Sequence, residues 1–162
     1  MKATPEVKAG IQDAMTIEAS LMLQYFADER DVNRLGLDLA SGLKQLSGQC
    51  QDHLKELTSR LLFREGAPAL DPRPAATHND LGAIISDAIA AETAAVERFA
   101  DLCKQSFADG DMSMFHFYQH LAKWHCEGDD KFKGHLLWLQ QQAALFKALG
   151  ESGYIAMSAV KN

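Results

Sequence analysis

The sequence predicts an all-α protein, a four-helix bundle with one long crossover and a short fifth helix near the C-terminus. Three observations predict this fold. Apolar residues recur at helical spacing over four long segments. The first and third links between these segments are short, which makes the joined helices antiparallel neighbours. The second link, residues 67–79, holds Pro68, Pro72 and Pro74 and therefore cannot be a helix interior.

The first two helices are marked by their end signals. Thr4 is a favourable N-cap and Pro5 suits the first helical position, so the first helix is predicted to begin there and to reach about Asn33. After a short break, a leucine-rich stripe from Leu39 predicts a second long helix that ends at Gly66.

The second half of the chain repeats this arrangement. Asn79 is expected to cap a third helix over residues 80–107, whose alanine-rich middle allows neighbouring helices to approach closely. Asp111 is expected to cap a fourth helix that runs without interruption to Gly150. A short last helix is predicted over residues 152–160.

Length and composition narrow the class of protein. A chain of 162 residues fits one domain, residues 1–162, better than two. We find no apolar run long enough to span a membrane and no leader-like N-terminus, so we expect a cytoplasmic protein. The three cysteines lack the CxxC spacing of a structural zinc site, so we expect reduced thiols. The net charge of −6 argues against nucleic acid as a partner.

Four ionisable residues interrupt the apolar faces of the predicted helices, one on each: Glu18, His53, Glu92 and His135. Cys50 shares the inner face of the second helix with His53. A single buried histidine is more often a hydrogen-bonded core residue than a ligand, and a lone cysteine is most simply a small apolar residue. Burying four ionisable groups near one point requires a cation or shared protons, so the set predicts a metal site.

Several stretches resemble bacterioferritins and the wider ferritin-like superfamily. The segment beginning at Glu18 resembles the first-helix motif, in which a metal-binding Glu is followed seven residues later by a Tyr, here Tyr25. The other matching stretches are His53 with Phe63-Arg64-Glu65-Gly66-Ala67-Pro68, Glu92 in the third helix, Gly134-His135-Leu136-Leu137-Trp138-Leu139, and Leu149-Gly150-Glu151-Ser152-Gly153-Tyr154. The resemblance covers nearly the whole chain and implies a ferritin-like bundle that handles iron.

The chain also departs from the family pattern. The family has a Glu three residues before each metal-binding His, and those positions hold Cys50 and Phe132 here. The missing carboxylates are the ones expected to bridge two irons, which argues against a standard dinuclear ferroxidase centre. Gln51 stands where the resemblance implies a haem-binding Met, which argues against haem held by paired methionines. Between Glu92 and His135 the chain is several residues longer than the family pattern, which leaves the register of the fourth helix open.

The altered cluster has more than one interpretation. On a continuous fourth helix Lys131 would project near the face of His135, where its ammonium group either replaces a metal ion or extends to solvent. The five donors Glu18, Cys50, His53, Glu92 and His135 suit iron, or alternatively zinc, better than calcium or magnesium. His116 and His120, with Glu127 two turns later, form either a peripheral metal site or the histidine-rich edge of a subunit contact.

Three functional hypotheses follow. The resemblance implies an iron-storage protein of iron homeostasis that assembles as a homo-oligomer, by family a 24-subunit cage, with a ferroxidase step that depends on the altered site. The second hypothesis is a non-catalytic cage or accessory subunit that co-assembles with another ferritin-like chain. The third is a mononuclear-metal redox enzyme on the same scaffold, with Tyr25 as its catalytic side chain.

Overall fold

The computed structural model describes residues 3–129 and 134–159. These residues form five helices and no β-strand, and an isolated bridge pairs Leu37 with Ala159. The helices, in chain order, are α1 (Pro5–Asn33), α2 (Leu39–Phe63), α3 (Leu81–Ala108), α4 (Met112–Cys126) and α5 (His135–Ser158). None of these described helices is long and apolar enough to cross a bilayer.

The helix ends largely follow the predicted signals. Thr4 caps α1 by accepting a hydrogen bond from the backbone N–H of Val7, and Asp111 caps α4 through the N–H of Met114. The predicted cap of the third helix was wrong by one residue, because the carboxylate of Asp80, next to Asn79, accepts from the N–H of Ala83. The long second helix ends at Phe63 rather than at Gly66.

The crossover lies along α1 and is fixed to it by side chains. The side-chain amide of Gln12 exchanges hydrogen bonds with the backbone of Ala69, and Gln24 does the same with Ala76. Between them the hydroxyl of Ser20 accepts from the N–H of Arg73. The extended, proline-containing segment therefore satisfies its backbone polar groups with side chains on one face of a helix.

The fourth predicted helix is interrupted, so the prediction of a continuous helix from Asp111 to Gly150 was wrong. Helix α4 ends at Cys126, and Gly128 has a positive φ of 74°, a conformation that favours glycine. The chain re-enters α5 at Gly134, where an added Cβ would collide with the backbone of Glu127. The backbones of Glu127 and Gly134 therefore lie in close contact, and α4 and α5 are two helices where one was expected.

The C-terminal segment packs back onto the start of the bundle. Helix α5 kinks at Gly150, which has φ 67°. The predicted break is therefore present as a kink within α5 rather than as a gap between two helices. The hydroxyl of the buried Tyr154 donates to Gln142, and the N–H of Asp38 donates to the carbonyl of Ser158. These contacts hold the last helical turns against the link between α1 and α2.

Candidate metal centre in the bundle core

The four ionisable residues expected on the core faces are all buried and meet in the middle of the bundle. Glu18 comes from α1, His53 from α2, Glu92 from α3, and His135 is the first residue of α5. Glu18, Glu92 and His135 are fully buried and His53 is 8% exposed. The helices thus bring these side chains together, while their role as metal ligands stays a prediction.

A fifth residue, His125, lies between the two carboxylates and was missed by the sequence analysis. Its Nδ1 is 2.8 Å from Oε2 of Glu92, and its Nε2 is 2.9 Å from Oε1 of Glu18. Because a carboxylate only accepts hydrogen bonds when ionised, both ring nitrogens must carry a proton. His125 is therefore an imidazolium that neutralises part of the charge of Glu18 and Glu92.

The pKa values of these three groups agree with that assignment. Burial opposes the charged form of Glu18, but the charge of His125 and hydrogen bonds from His125 and His53 outweigh it and lower the pKa to about 2. Burial also opposes the charged form of His125, yet the charges of Glu18 and Glu92 raise its pKa to about 10. The pKa of Glu92 is lowered too, because His135 and His125 outweigh the effect of burial.

Two further histidines extend the cluster at either end. Nδ1 of His53 lies 3.1 Å from Oε1 of Glu18, and Nδ1 of His135 lies 2.8 Å from Oε1 of Glu92. The result is one buried hydrogen-bonded row in the order His53, Glu18, His125, Glu92, His135. Imidazoles and carboxylates alternate along it, so each carboxylate lies between two imidazole rings.

His135 lies at the end of the row, between Glu92 and Gln49. Its Nδ1 donates to Oε1 of Glu92 at 2.8 Å, and its Nε2 lies 2.7 Å from Oε1 of Gln49. Burial lowers the pKa of His135 more than the charge of Glu92 raises it.

Tyr25 and Cys50 are both buried at the cluster but do not extend the row. The Tyr25 hydroxyl donates to Oε1 of Glu92, and burial together with the Glu92 charge raises the tyrosine pKa well above its usual value. Burial and the charges of Glu18 and Glu92 likewise raise the pKa of the Cys50 thiol well above its usual value. In this state Tyr25 orients a carboxylate and Cys50 is a neutral thiol.

The donors form two overlapping groups with the spacing that a metal ion needs. Within residues 3–129 and 134–159, ligand atoms of Glu18, His53 and His125 lie within 4.8 Å of one another, as do those of Glu92, His125 and His135. Oε2 of Glu18 is buried and accepts no hydrogen bond from the described residues. This mixture of imidazole and carboxylate donors is consistent with iron binding.

The peripheral histidines do not form a comparable group. His116 and His120 are exposed and contact aromatic rings, Phe115 and Trp124 respectively. Neither belongs to a three-donor group in the part of the chain that the structure describes, and Glu127 is exposed as well.

The predictions for Lys131 and Phe132 fall on residues outside those that the structure describes.

The cation between Glu18 and Glu92 in the described part of the chain is the imidazolium of His125. The sequence did carry a signal for it, because His125 continues the buried stripe of α4, four residues after Leu121.

Comparisons with known proteins agree with this architecture. A family model described as a ferritin-like domain matches residues 8–142. The chain is similar in structure to bacterioferritin from Rhodobacter capsulatus, with a TM-score of 0.89 and 23% identity, covering 99% of this chain and 98% of that one. That protein was described with a metal-free dinuclear site and haem iron in a crystallographic special position. No curated protein matches the chain.

The structural similarity, at this level of identity, establishes the fold, and the family model spans most of the chain. The predicted four-helix bundle of the ferritin-like kind is thereby confirmed. The chain belongs to the ferritin-like domain family, with bacterioferritin among its structural relatives.

Proposed function

We propose that this protein is a bacterioferritin-like subunit of iron homeostasis that takes up a divalent first-row metal, with ferrous iron as its cargo, inside the four-helix bundle. The observation that carries the proposal is the buried row of alternating imidazoles and carboxylates centred on His125. Burying so many ionisable groups costs folding free energy relative to an apolar core, so their presence indicates a role other than packing. Metal binding is such a role, and the family handles iron.

Each residue of the row has a distinct task in this proposal. Glu18 and Glu92 supply the negative charge that balances a cation, and His53, His125 and His135 supply nitrogen donors. Tyr25 holds the Glu92 carboxylate in place through its hydroxyl. The expected catalytic role of Tyr25 in redox chemistry remains part of the mononuclear-enzyme alternative.

Oxidation of ferrous iron is the step that this set of residues supports least. A dinuclear ferroxidase uses carboxylates that bridge two metal ions, and the Glu expected three residues before His53 is Cys50. Cys50 offers one sulfur atom at the position where the family pattern has a carboxylate with two oxygens. We therefore expect binding of ferrous iron with slow oxidation rather than rapid turnover.

A specific observation favours the second candidate, a non-catalytic cage or accessory subunit. His125 already forms a hydrogen bond with each of the two buried carboxylates without any metal ion. An imidazolium in this position balances carboxylate charge that a metal ion would otherwise balance. Such a subunit would contribute to a shell while another ferritin-like chain performs the oxidation.

Assembly into a homo-oligomeric cage in the cytoplasm is part of the proposal. Large apolar side chains are exposed on α1 and at the end of α2, including Phe26, 64% exposed, and Phe63, 85% exposed. Where such side chains form a contiguous patch, the patch is typical of a surface that contacts another subunit. Mass measurement by light scattering after size exclusion tests this, and a monomer at micromolar concentration would contradict it.

The position expected to bind haem is exposed and carries an amide. Gln51 lies on the outer side of α2 and offers no thioether sulfur. We expect no haem held by paired methionines. Absorbance of the protein purified from haem-supplemented cells checks this, and a Soret band that a Gln51→Ala variant retains would point to a different haem site.

Metal binding is tested by adding ferrous iron under anaerobic conditions and measuring the bound metal after desalting. We expect retention by the wild type and loss in a Glu18→Gln, Glu92→Gln double variant. His116→Ala, which removes an exposed histidine far from these contacts, is the matched control and should retain metal. Admitting air then measures oxidation by absorbance, and a rate well above that of buffer alone would contradict the slow-oxidation expectation.

A further inference from the structure

We infer that the bundle core holds one divalent metal ion per chain, in the group formed by Glu18, His53 and His125, with Glu92 and His135 as its hydrogen-bonded support. This inference rests on the proposed function and specifies its site and stoichiometry. It differs from the two-ion centre that the family pattern implies.

The two three-donor groups cannot both be filled because they share one ring. His125 faces Glu18 through Nε2 and Glu92 through Nδ1. A histidine ligand normally binds a metal ion through one nitrogen and keeps a proton on the other. Serving two ions would require His125 to lose both ring protons. The groups are therefore alternatives, and occupation of one removes a ligand from the other.

The charge of the cluster also indicates one divalent ion per chain. Among the described residues of the two groups, Glu18 and Glu92 are the carboxylates, and together they balance one divalent ion. A second divalent ion would leave two uncompensated positive charges in a buried site, which is strongly unfavourable.

The Glu18 side of the row is the better site for that single ion. Oε2 of Glu18 is buried and receives no hydrogen bond from the described residues, so it has a lone pair available to a cation. Glu92, by contrast, accepts from Tyr25, His125 and His135.

The side chain of His53 also provides a path for the ion. It is the one member of the row with measurable exposure, 11% of its side chain, whereas those of Glu18, His125, Glu92 and His135 have none. An ion arriving from solvent therefore meets the Glu18 group first.

Anaerobic titration with Co²⁺ tests the stoichiometry in the wild-type protein. Co²⁺ is used because its visible absorption reports nitrogen ligation, and calorimetry on the same sample gives the number of ions bound. We expect saturation at one equivalent per chain. Saturation at two equivalents would overturn the inference while leaving metal binding intact, and no binding at all would overturn the proposed function as well.

Two single variants then locate the ion. His53→Ala should weaken Co²⁺ binding by at least about tenfold and shift the visible spectrum, because it removes a ligand. His135→Ala should keep one equivalent bound, with a smaller loss of affinity, and His116→Ala should behave as wild type. The opposite order, with His135→Ala weaker than His53→Ala, would assign the ion to the Glu92 group. Far-ultraviolet circular dichroism confirms that each variant is folded, and if His53→Ala is not, His53→Gln replaces it.

Discussion

Two histidines of this protein are each held between two carboxylates, one in the bundle core and one beneath the crossover. His125 lies between Glu18 and Glu92 in the middle of the bundle. His78, in the crossover, has Nδ1 at 2.7 Å from Asp28 of α1 and Nε2 at 3.0 Å from Asp87 of α3. The immediate geometry is nearly the same, so the difference in function must come from what surrounds each ring.

The surroundings differ in their outer neighbours and in solvent access. Each carboxylate beside His125 contacts a second imidazole, and the whole row is buried. Beside His78, Asp28 accepts a hydrogen bond from the amide of Gln24, while the Asp87 side chain is 64% exposed. Under the proposed function, an imidazole between carboxylates serves as part of a metal site only where further donors converge. Beneath the crossover the same unit connects three segments of the chain.

The largest expected effect is the loss of stability when the central ring is removed. In metal-free protein, His125→Leu leaves two buried carboxylates without their cation, which should lower the free energy of unfolding by about 3–5 kcal/mol. Urea denaturation in the presence of a chelator measures this. The triple variant Glu18→Gln, His125→Leu, Glu92→Gln serves as the control, because it removes the charges together and should recover most of the loss. A single variant as stable as the wild type would show that His125 is not the neutralising cation.

The pH dependence of stability in the metal-free protein should reflect the same row. The pKa of His125 rises on folding from 6.5 to about 10, so its contribution is complete below pH 6.5 and is lost as the pH rises towards 10. The pKa of Glu18 falls from 4.5 to about 2, so its contribution is complete above pH 4.5 and is lost on acidification. The lowered pKa of His135 adds a further loss below pH 6.5.

Stability should therefore be highest near pH 6.5, as measured by denaturant unfolding with a chelator from pH 3 to 10. The triple variant is the reference, since it lacks both carboxylates and the central ring. Its curve should be flatter on both sides, and an equally steep alkaline decline in the triple variant would place the responsible group elsewhere.

A smaller effect is expected at Tyr25, whose hydroxyl donates to an ionised carboxylate. Tyr25→Phe removes that donor and should cost about 1.5–3 kcal/mol of unfolding free energy in metal-free protein. Tyr118→Phe is the matched control, because the buried Tyr118 hydroxyl has no hydrogen-bond partner among the described residues. Equal losses in the two variants would indicate that packing, rather than the bond to Glu92, accounts for the result.

The fold could be predicted from the sequence because its signals are local. The cap at Thr4, the proline-containing crossover and the glycine at position 150 each act on their own segment of chain. The break after Cys126 was missed because the apolar pattern continues on both sides of it. What interrupts the helix is a close backbone approach between Gly134 and Glu127, which periodicity does not reveal.

The same break explains why the candidate site was only partly predicted. Glu18, His53, Glu92 and His135 were recognised because each is an ionisable residue within an apolar stripe. On a continuous helix His125 and His135 would lie about 15 Å apart along the axis, so the two could not serve one site. Because α4 ends at Cys126 and α5 begins at His135, the two ring centroids instead lie 4.5 Å apart. The place of His125 in the row thus depends on the break between these helices, which the sequence pattern does not reveal.

The smallest expected effect concerns His78, the counterpart of His125 beneath the crossover. His78→Ala should lower the global free energy of unfolding by about 1–2 kcal/mol, because the exposed Asp87 can be solvated and the buried Asp28 keeps its hydrogen bond from Gln24. Locally the change should be clearer, since the crossover loses its contacts with Asp28 of α1 and Asp87 of α3. Hydrogen exchange at the backbone amides of Arg73 and Ala76, which donate to Ser20 and Gln24, should be at least about fivefold faster than in the wild type, in line with an opening that is easier by about 1 kcal/mol. His120→Ala, an exposed histidine on α4, is the control and should leave these rates unchanged. If the two amides exchanged at the wild-type rate in His78→Ala, the hydrogen bonds of Gln12, Ser20 and Gln24 alone would account for the position of the crossover.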